Sequence, residues 1–223
     1  KTKSEIEYYR EKLGNTHPFI SENGGGVFIP KGYFKSQISN LKFEKNGKYR
    51  IIRLGAKYMD LRDAVKELQE NGFDVKGFGD MTEQEIAKIT RLTIREAIMA
   101  KERDFDEPFI FKGNAGKLFN AIRVKGFNYT QGCFFHILGN SDKGKAVAIL
   151  TDIYREKFGE IITIAIGDSP NDISMLEKAD IPVIVQKPDG SYDKTIYIPN
   201  LIKADGTGPD GWNKAVKTLL SHR

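Results

Sequence analysis

One cysteine, Cys133, stands in 223 residues, so no internal disulfide framework is available, and a reducing, cytoplasmic setting is the expectation. No apolar run approaches the roughly 18 residues of a membrane span, so no membrane partner is expected. No block of like charge occurs either. The net charge is +5, but the lysines and arginines are spread along the chain and alternate with acids, as in "REAIMAKERDFDE". That spacing and the absence of a nucleic-acid motif argue against nucleic acid as a partner and suit a small anionic substrate. Internal repeats and low-complexity tracts are missing. "SENGGG" (21–26) is not followed by Gly-Lys-Ser/Thr and is therefore not a P-loop. Its Asn-Gly reads as a turn between the short strands "PFI" and "VFIP", and its glycines fit tight turning or close backbone approach to a ligand. At 39% hydrophobic and 29% charged, the chain has the composition of a globular protein able to bury a core.

The stretch "AIGDSPNDISML" (165–176) raises the chemical question. An apolar run ends in Gly167 and Asp168, and Asp172 follows four residues later. Helix-start chemistry explains part of this: Ser169 as N-cap, Pro170 at the first helical position and Asp172 as an acid favoured by the dipole. It does not explain Asp168, an acid at the carboxyl end of a buried parallel strand, where open α/β sheets bind ligands. Two carboxylates so close are costly to desolvate without a cation, and magnesium, which takes one or two carboxylates plus phosphate oxygens, fits them. Lys143 and Lys145 sit in the first turn of another helix, against its dipole. An anion resting there, balanced by Lys143, accounts for that placement.

The rest of the chain supplies the frame. Residues 3–13 read as a helix with Ile6, Tyr9 and Leu13 on one side. From Tyr49 the order β-α-β-α-α-β-α-β reads as an inserted α+β module. Within it Leu61, Ala64, Val65 and Leu68 mark one helix face, and Thr82-x-x-Glu85 and Thr93-x-x-Glu96 form two capping boxes. The last third returns to parallel α/β order: a helix from Lys143, the strand "IITIAIG", a helix from Pro170, the strand "IPVIVQ", the turn-rich loop "DGTGPDGW" with its lone Trp212, and a final helix. The continuous apolar strands predict a sheet covered on both faces. The expected division is 1–47 and 137–223 as two parts of one core, with 48–136 as the insert.

"GDSPND" with the upstream "SDKGKA" resembles the last two motifs of haloacid-dehalogenase-type phosphatases, in the subgroup with an α+β cap inserted between the second and third motifs. More narrowly, "PFISENGGGVFIPKGYF", "GFGDMTEQEIAKITRLT", "AKERDFDEPFIF", "FFHILGNSDKGKAV" and "GPDGWNKAV" are similar to the mannosyl-3-phosphoglycerate phosphatases. The resemblance covers nearly the whole chain. It implies a Rossmann-like parallel-sheet core with a cap domain, Mg2+ as cofactor, and hydrolysis of a sugar-linked phosphoglycerate through an aspartyl phosphate. A phosphorylated sugar–glycerate would then be the small-molecule substrate. Asp168 becomes a metal ligand, Asp172 a ligand or an orienter of one, Lys143 the cation that stabilises the transferring phosphoryl group, and Asn171 a support of the phosphate side. Asn23 and Gly24 lie at the substrate mouth, and Arg103 and His136 recognise substrate from the cap. Where the resemblance implies an arginine near position 133, this chain has Cys133.

The family's opening motif, Asp-x-Asp-x-Thr, which supplies the nucleophile and the acid/base, does not occur in these 223 residues. The expectation is that about forty residues carrying it precede Lys1, forming a strand beside 161–167, and that the present segment alone is inactive. The rivals are a related capped phosphatase or phosphomutase acting on another sugar phosphate, and a non-catalytic ligand-binding protein.

Overall fold

A computed structural model describes residues 1–34 and 41–221. The chain forms two compact units, Lys1–Ser141 and Asp142–Arg223. Part of the polar stretch 31–48 lies outside the described residues.

The first unit opens with α1 (Lys3–Lys12), β1 (Phe19–Ser21), β2 (Gly26–Pro30), β3 (Glu44–Asn46) and β4 (Tyr49–Arg53). It continues with α2 (Tyr58–Glu70), β5 (Asp74–Gly77), α3 (Glu83–Thr90), α4 (Ile94–Lys101), β6 (Asp106–Lys112), α5 (Ala115–Val124), β7 (Asn128–Gln131) and β8 (Phe135–Leu138). Its first sheet is antiparallel, in the order β1-β2-β4-β3. Here the sequence expectation needs correcting. Tyr49–Arg53, expected to open the inserted module, pairs with β2, Phe28 standing opposite Ile51. The boundary expected at 47–48 therefore falls inside this sheet. The reason is side-chain burial: Tyr49 and Ile51 complete an aromatic cluster with Phe19, Phe28 and Phe105. The boundary expected at 136–137 likewise falls within β8.

The expected apolar face of α1 is also corrected. Leu13 caps the helix, 77% exposed, and Tyr9 is 37% exposed, whereas Thr2 and Glu5 are buried and form a reciprocal capping box. Ile6 alone of the three packs on the aromatic cluster. The helix end is held by polar contacts that hydrophobic periodicity does not report.

The second sheet is antiparallel, in the order β5-β6-β8-β7. Leu61, Ala64, Val65 and Leu68 of α2 are all buried, as their spacing predicts, against Val75, Phe109, Ile137 and Leu118 and Ile122 of α5. Each of the fully buried Leu, Val, Ile and Phe side chains among these contributes about 1.5–3 kcal/mol. The Thr82/Glu85 and Thr93/Glu96 boxes both form, opening α3 and α4.

The second unit contains α6 (Lys143–Phe158), β9 (Ile164–Gly167), α7 (Ile173–Leu176), β10 (Ile181–Gln186), β11 (Ile202–Thr207) and α8 (Gly208–Ser221). Its parallel sheet runs β11-β10-β9. As expected for a covered sheet, β10 is buried on both faces. Ile184 packs with Leu176 of α7, and Val183 and Val185 pack with Ala215 of α8. β9 pairs with β10 on one edge and is the edge strand among the described residues. The loop expected at 205–212 is instead the end of β11 and the start of α8, where Trp212 is 52% exposed. Among the described residues, no helix is long and apolar enough to cross a membrane.

Candidate active site

In the second unit the apolar strand β9 delivers its chain direction to Gly167, and Asp168 emerges at the strand's end, exposed. Ser169, Pro170 and Asp172 then build the helix start that their sequence predicts. Asp172 Oδ2 accepts from the backbone N–H groups of Asp168 and Ser169 at 3.1 and 3.3 Å, and from the Ser169 hydroxyl at 3.3 Å. Its other oxygen, Oδ1, accepts from Lys143 Nζ at 2.6 Å. Both oxygens of this buried carboxylate are thus engaged. Asn171 accepts from the Ser169 hydroxyl at 2.7 Å, which ties it to the same turn.

Close packing holds this pair of elements together. A Cβ on Gly167 would lie 2.5 Å from the Asp172 Cβ, so only glycine admits the acid there. Gly144, next to Lys143, donates its N–H to Ser174 Oγ at 3.1 Å, and a Cβ on it would meet the Ser174 carbonyl oxygen at 2.3 Å. Lys143 therefore starts α6 hard against α7, which directs its ammonium to Asp172. Asp142 caps α6 through the Lys145 N–H, and the Lys145 side chain is exposed.

The Asp168 carboxylate makes no side-chain hydrogen bond among the described residues. Lys187, which the sequence reading missed, hydrogen-bonds Asp193 at 2.8 Å. That bond chiefly holds its ammonium above the usual lysine range, with Asp168 adding to the effect through space. An exposed, unengaged carboxylate is what a hard oxygen-seeking cation requires, and Asp168 fits that role. No group of three or more His, Cys, Asp or Glu arranged to hold a metal occurs among the described residues.

The first unit brings three of the other candidates together on a residue that the sequence did not single out. Asn23 Nδ2 donates to Asp106 Oδ2 at 2.7 Å, His136 Nδ1 lies 3.1 Å from the same oxygen, and Arg103 pairs with Oδ1. Asp106 is fully buried. Although burial alone pushes its carboxyl up, the Arg103 guanidinium and then His136 hold it well below the usual carboxylate range. Glu22 clamps the same segment, its carboxylate accepting from the N–H groups of Asp104, Phe105 and Asp106 at 2.7–3.1 Å. Burial, and then the charge of Asp106, push Glu22 up to about 7. Glu22 and Asn23 have φ of 47° and 53°, in the left-handed region, and Gly24 follows at 84°. Such geometry costs a non-glycine residue on the order of 1–3 kcal/mol and persists only where its surroundings enforce it. Phe105 fills the space beside Gly25, where a Cβ would lie 2.2 Å from its own. The glycines thus admit Phe105 and the turn, and Gly24 is buried.

The family now follows from sequence comparison. A family model described as haloacid dehalogenase-like hydrolase matches residues 1–189. The chain belongs to this family. Its α/β core and inserted second sheet are those of a haloacid-dehalogenase fold. Two relatives, each named glucosyl-3-phosphoglycerate/mannosyl-3-phosphoglycerate phosphatase, are similar along almost all of the chain. The one from Methanococcoides burtonii is 44% identical over 225 residues, covering 99% of this chain and 82% of the relative. The one from Persephonella marina is 40% identical over 226 residues, with the same coverage. Among solved structures, a Thermoplasma acidophilum protein matches with a TM-score of 0.64 at 15% identity, covering 99% of this chain and 80% of that one, which supports the fold alone.

Proposed function

We propose that this haloacid-dehalogenase-family phosphatase removes the phosphate from a glucosyl- or mannosyl-3-phosphoglycerate, with Mg2+ as cofactor. The observation that carries the reading is the Lys143–Asp172 pair at 2.6 Å beside the exposed Asp168. The similarity of almost the whole chain to phosphatases named for that substrate class supports it.

Asp168 is the residue we assign to the metal, because its carboxylate is exposed and unengaged. Asp172, with both oxygens taken, acts instead as the orienter of Lys143 and of the Asp168 backbone. A bound Mg2+ supplies charge neutralisation at the phosphoryl oxygens. Lys143 carries a fixed positive charge held in place by Asp172. A cation already in position stabilises charge that develops in the transition state without reorganising as the reaction proceeds. Asn171, fixed through Ser169, offers its side-chain amide N–H groups to the phosphate side.

The route we propose is phosphoryl transfer to a carboxylate and then hydrolysis by water. The ester P–O bond breaks as the carboxylate–phosphorus bond forms, the leaving oxygen takes a proton, and water finally releases inorganic phosphate. The nucleophile and acid/base of that route belong to an Asp-x-Asp-x-Thr motif that these 223 residues do not contain. The assay therefore uses the polypeptide with that motif in place. Phosphate release from glucosyl- or mannosyl-3-phosphoglycerate, abolished by a chelator and restored by Mg2+, is the expected result. Failure to hydrolyse either compound, with an aryl phosphate cleaved equally with and without metal, overturns the reading.

A further inference from the structure

Two lysine–aspartate pairs of the second unit are built alike, and only Lys143 has a task in the reaction proposed above. In the first pair, Asp172 is pinned through Oδ2 by the backbone N–H and the hydroxyl of Ser169, and its Oδ1 holds Lys143 at 2.6 Å. In the second, Asp193 is pinned through Oδ1 by the backbone N–H and the hydroxyl of Thr195, at 2.8 and 2.5 Å. Its Oδ2 holds Lys187 at 2.8 Å. The Asp193 side chain is 9% exposed and that of Lys187 40%, whereas the surface pair Lys214–Asp205 of the same unit is 57% and 84% exposed.

Lys187 follows β10 directly, and β10 runs parallel to β9 with Ile184 opposite Gly167. Lys187 and Asp168 therefore leave neighbouring strands at the same carboxyl edge, where parallel sheets bind ligands. A closed turn fixes the backbone of the lysine. Its N–H donates to the Ser191 carbonyl at 2.7 Å, the Gly190 N–H donates to the Lys187 carbonyl at 2.9 Å, and Gly190 supplies the φ of 80°. The Asp193 bond chiefly, and then the charges of Asp193, Asp189 and Asp168, hold the ammonium above the usual lysine range. An ammonium donates three hydrogen bonds and accepts none. Asp193 engages one side of it, and the Lys187 side chain makes no other ion pair or hydrogen bond among the described residues.

We propose that Lys187 determines specificity for a phosphoglycerate by binding the carboxylate of the substrate. The substrate class proposed above, on which this inference rests, carries two anionic groups at the ends of a three-carbon chain. Its phosphate belongs to the metal and Lys143. Its carboxylate then needs a cation a few bonds away, and Lys187 is a fixed cation within electrostatic reach of Asp168. A sugar hydroxyl in that place would leave the ammonium charge unmatched. Asp193 serves Lys187 as Asp172 serves Lys143. It holds the ammonium in one place, so less side-chain freedom is lost when an anion binds. Asp168, another of the acids acting on Lys187, is offset by the Mg2+ assigned to it.

The test compares mannosyl-3-phosphoglycerate with its carboxamide in the polypeptide with the nucleophile motif in place. The carboxamide keeps the sugar and the phosphate and loses only the carboxylate charge. The wild type should prefer the acid, and Lys187→Met should shrink that preference in kcat/KM roughly 10- to 100-fold, mainly through KM. Lys187→Arg, which keeps the charge, should retain the larger part of it. Non-hydrolysable phosphonates of the two compounds separate binding from turnover, and their calorimetric Kd values with Mg2+ present should show the same loss. An equal loss on acid and carboxamide would make the Lys187–Asp193 pair a structural tie of its turn and overturn the carboxylate site. So would a Lys187→Arg variant as indifferent as Lys187→Met, or a wild type that does not distinguish the two compounds. The phosphatase reading survives all three results. A wild type that cleaves neither compound overturns the substrate reading itself.

Discussion

Asp106 and Asp168 both stand at strand ends, and their surroundings could hardly differ more. Asp106 is buried under Arg103, His136 and Asn23, and both of its oxygens are taken. Asp168 is exposed, and its side chain makes no hydrogen bond among the described residues. Asp172, only four residues from Asp168, behaves like Asp106: its oxygens serve Lys143 and the backbone of its own turn. The comparison separates two uses of a carboxylate. An engaged, buried acid sets the direction of the groups around it, whereas an exposed, unengaged one remains free to take a cation. Charge pattern in a sequence does not distinguish the two, and the hydrogen-bond partners do.

The comparison can be broken most directly at its open end. In the polypeptide with the nucleophile motif in place, Asp168→Asn should lower metal-dependent phosphate release by about a thousandfold, the scale of a lost metal contribution of several kcal/mol. Stability should change by no more than about 0.5 kcal/mol, because an exposed group with no partner is altered. Near-wild-type turnover in this variant would remove Asp168 from the site. A smaller but still large effect is expected at the engaged end. Lys143→Ala should cost roughly 10²- to 10³-fold in kcat, while Lys145→Ala, exposed on the same helix start, should cost less than about tenfold. Steady-state kinetics of the two variants side by side decide this, and a reversed order would mean that the wrong lysine has been assigned.

The smallest effect sharpens the comparison at the buried cluster. Glu22 is pushed up to about 7 from its ordinary 4.5, first by burial and then by the Asp106 charge. The folded state therefore favours its protonated form. That contribution is fully present below about pH 4.5 and is lost as pH rises through about 7. Denaturant unfolding between pH 5 and pH 8 should show the wild type losing stability over this window. Glu22→Gln, which carries no proton to lose, should show a flatter dependence, whatever its absolute stability. Parallel curves would contradict the proposed cost of ionising Glu22.

The sequence made the helices and the open end of this comparison legible, and the buried cluster only in part. The α2 face was readable because four apolar residues at helical spacing all meet one core. The starts of α3 and α4 were readable because a capping box is local chemistry. β3 and β7 were missed because they bury no residue, so no alternation marks them. β11 was missed because only Ala204 of its six residues is buried. Asp168 stood out since an acid directly after an apolar strand has no packing explanation. Asn23, Arg103 and His136 entered only through family resemblance, and Asp106 not at all. Its place in "RDFDEP" reads as part of a charged surface, and its burial depends on Asn23, 83 positions away, and on His136, 30 positions away. Partners at that separation leave no local periodicity to read.

The central claim is that Asp168 takes the metal while Asp172 orients Lys143, and metal binding tests it apart from turnover. Mn2+ affinity, followed by electron paramagnetic resonance in the polypeptide with its nucleophile motif, should be compared for the wild type, Asp168→Asn and Asp172→Asn. The account predicts that Asp168→Asn loses at least about a hundredfold in affinity, while Asp172→Asn loses roughly tenfold, as for a supporting residue one contact away. Equal losses, or a greater loss in Asp172→Asn, would contradict it.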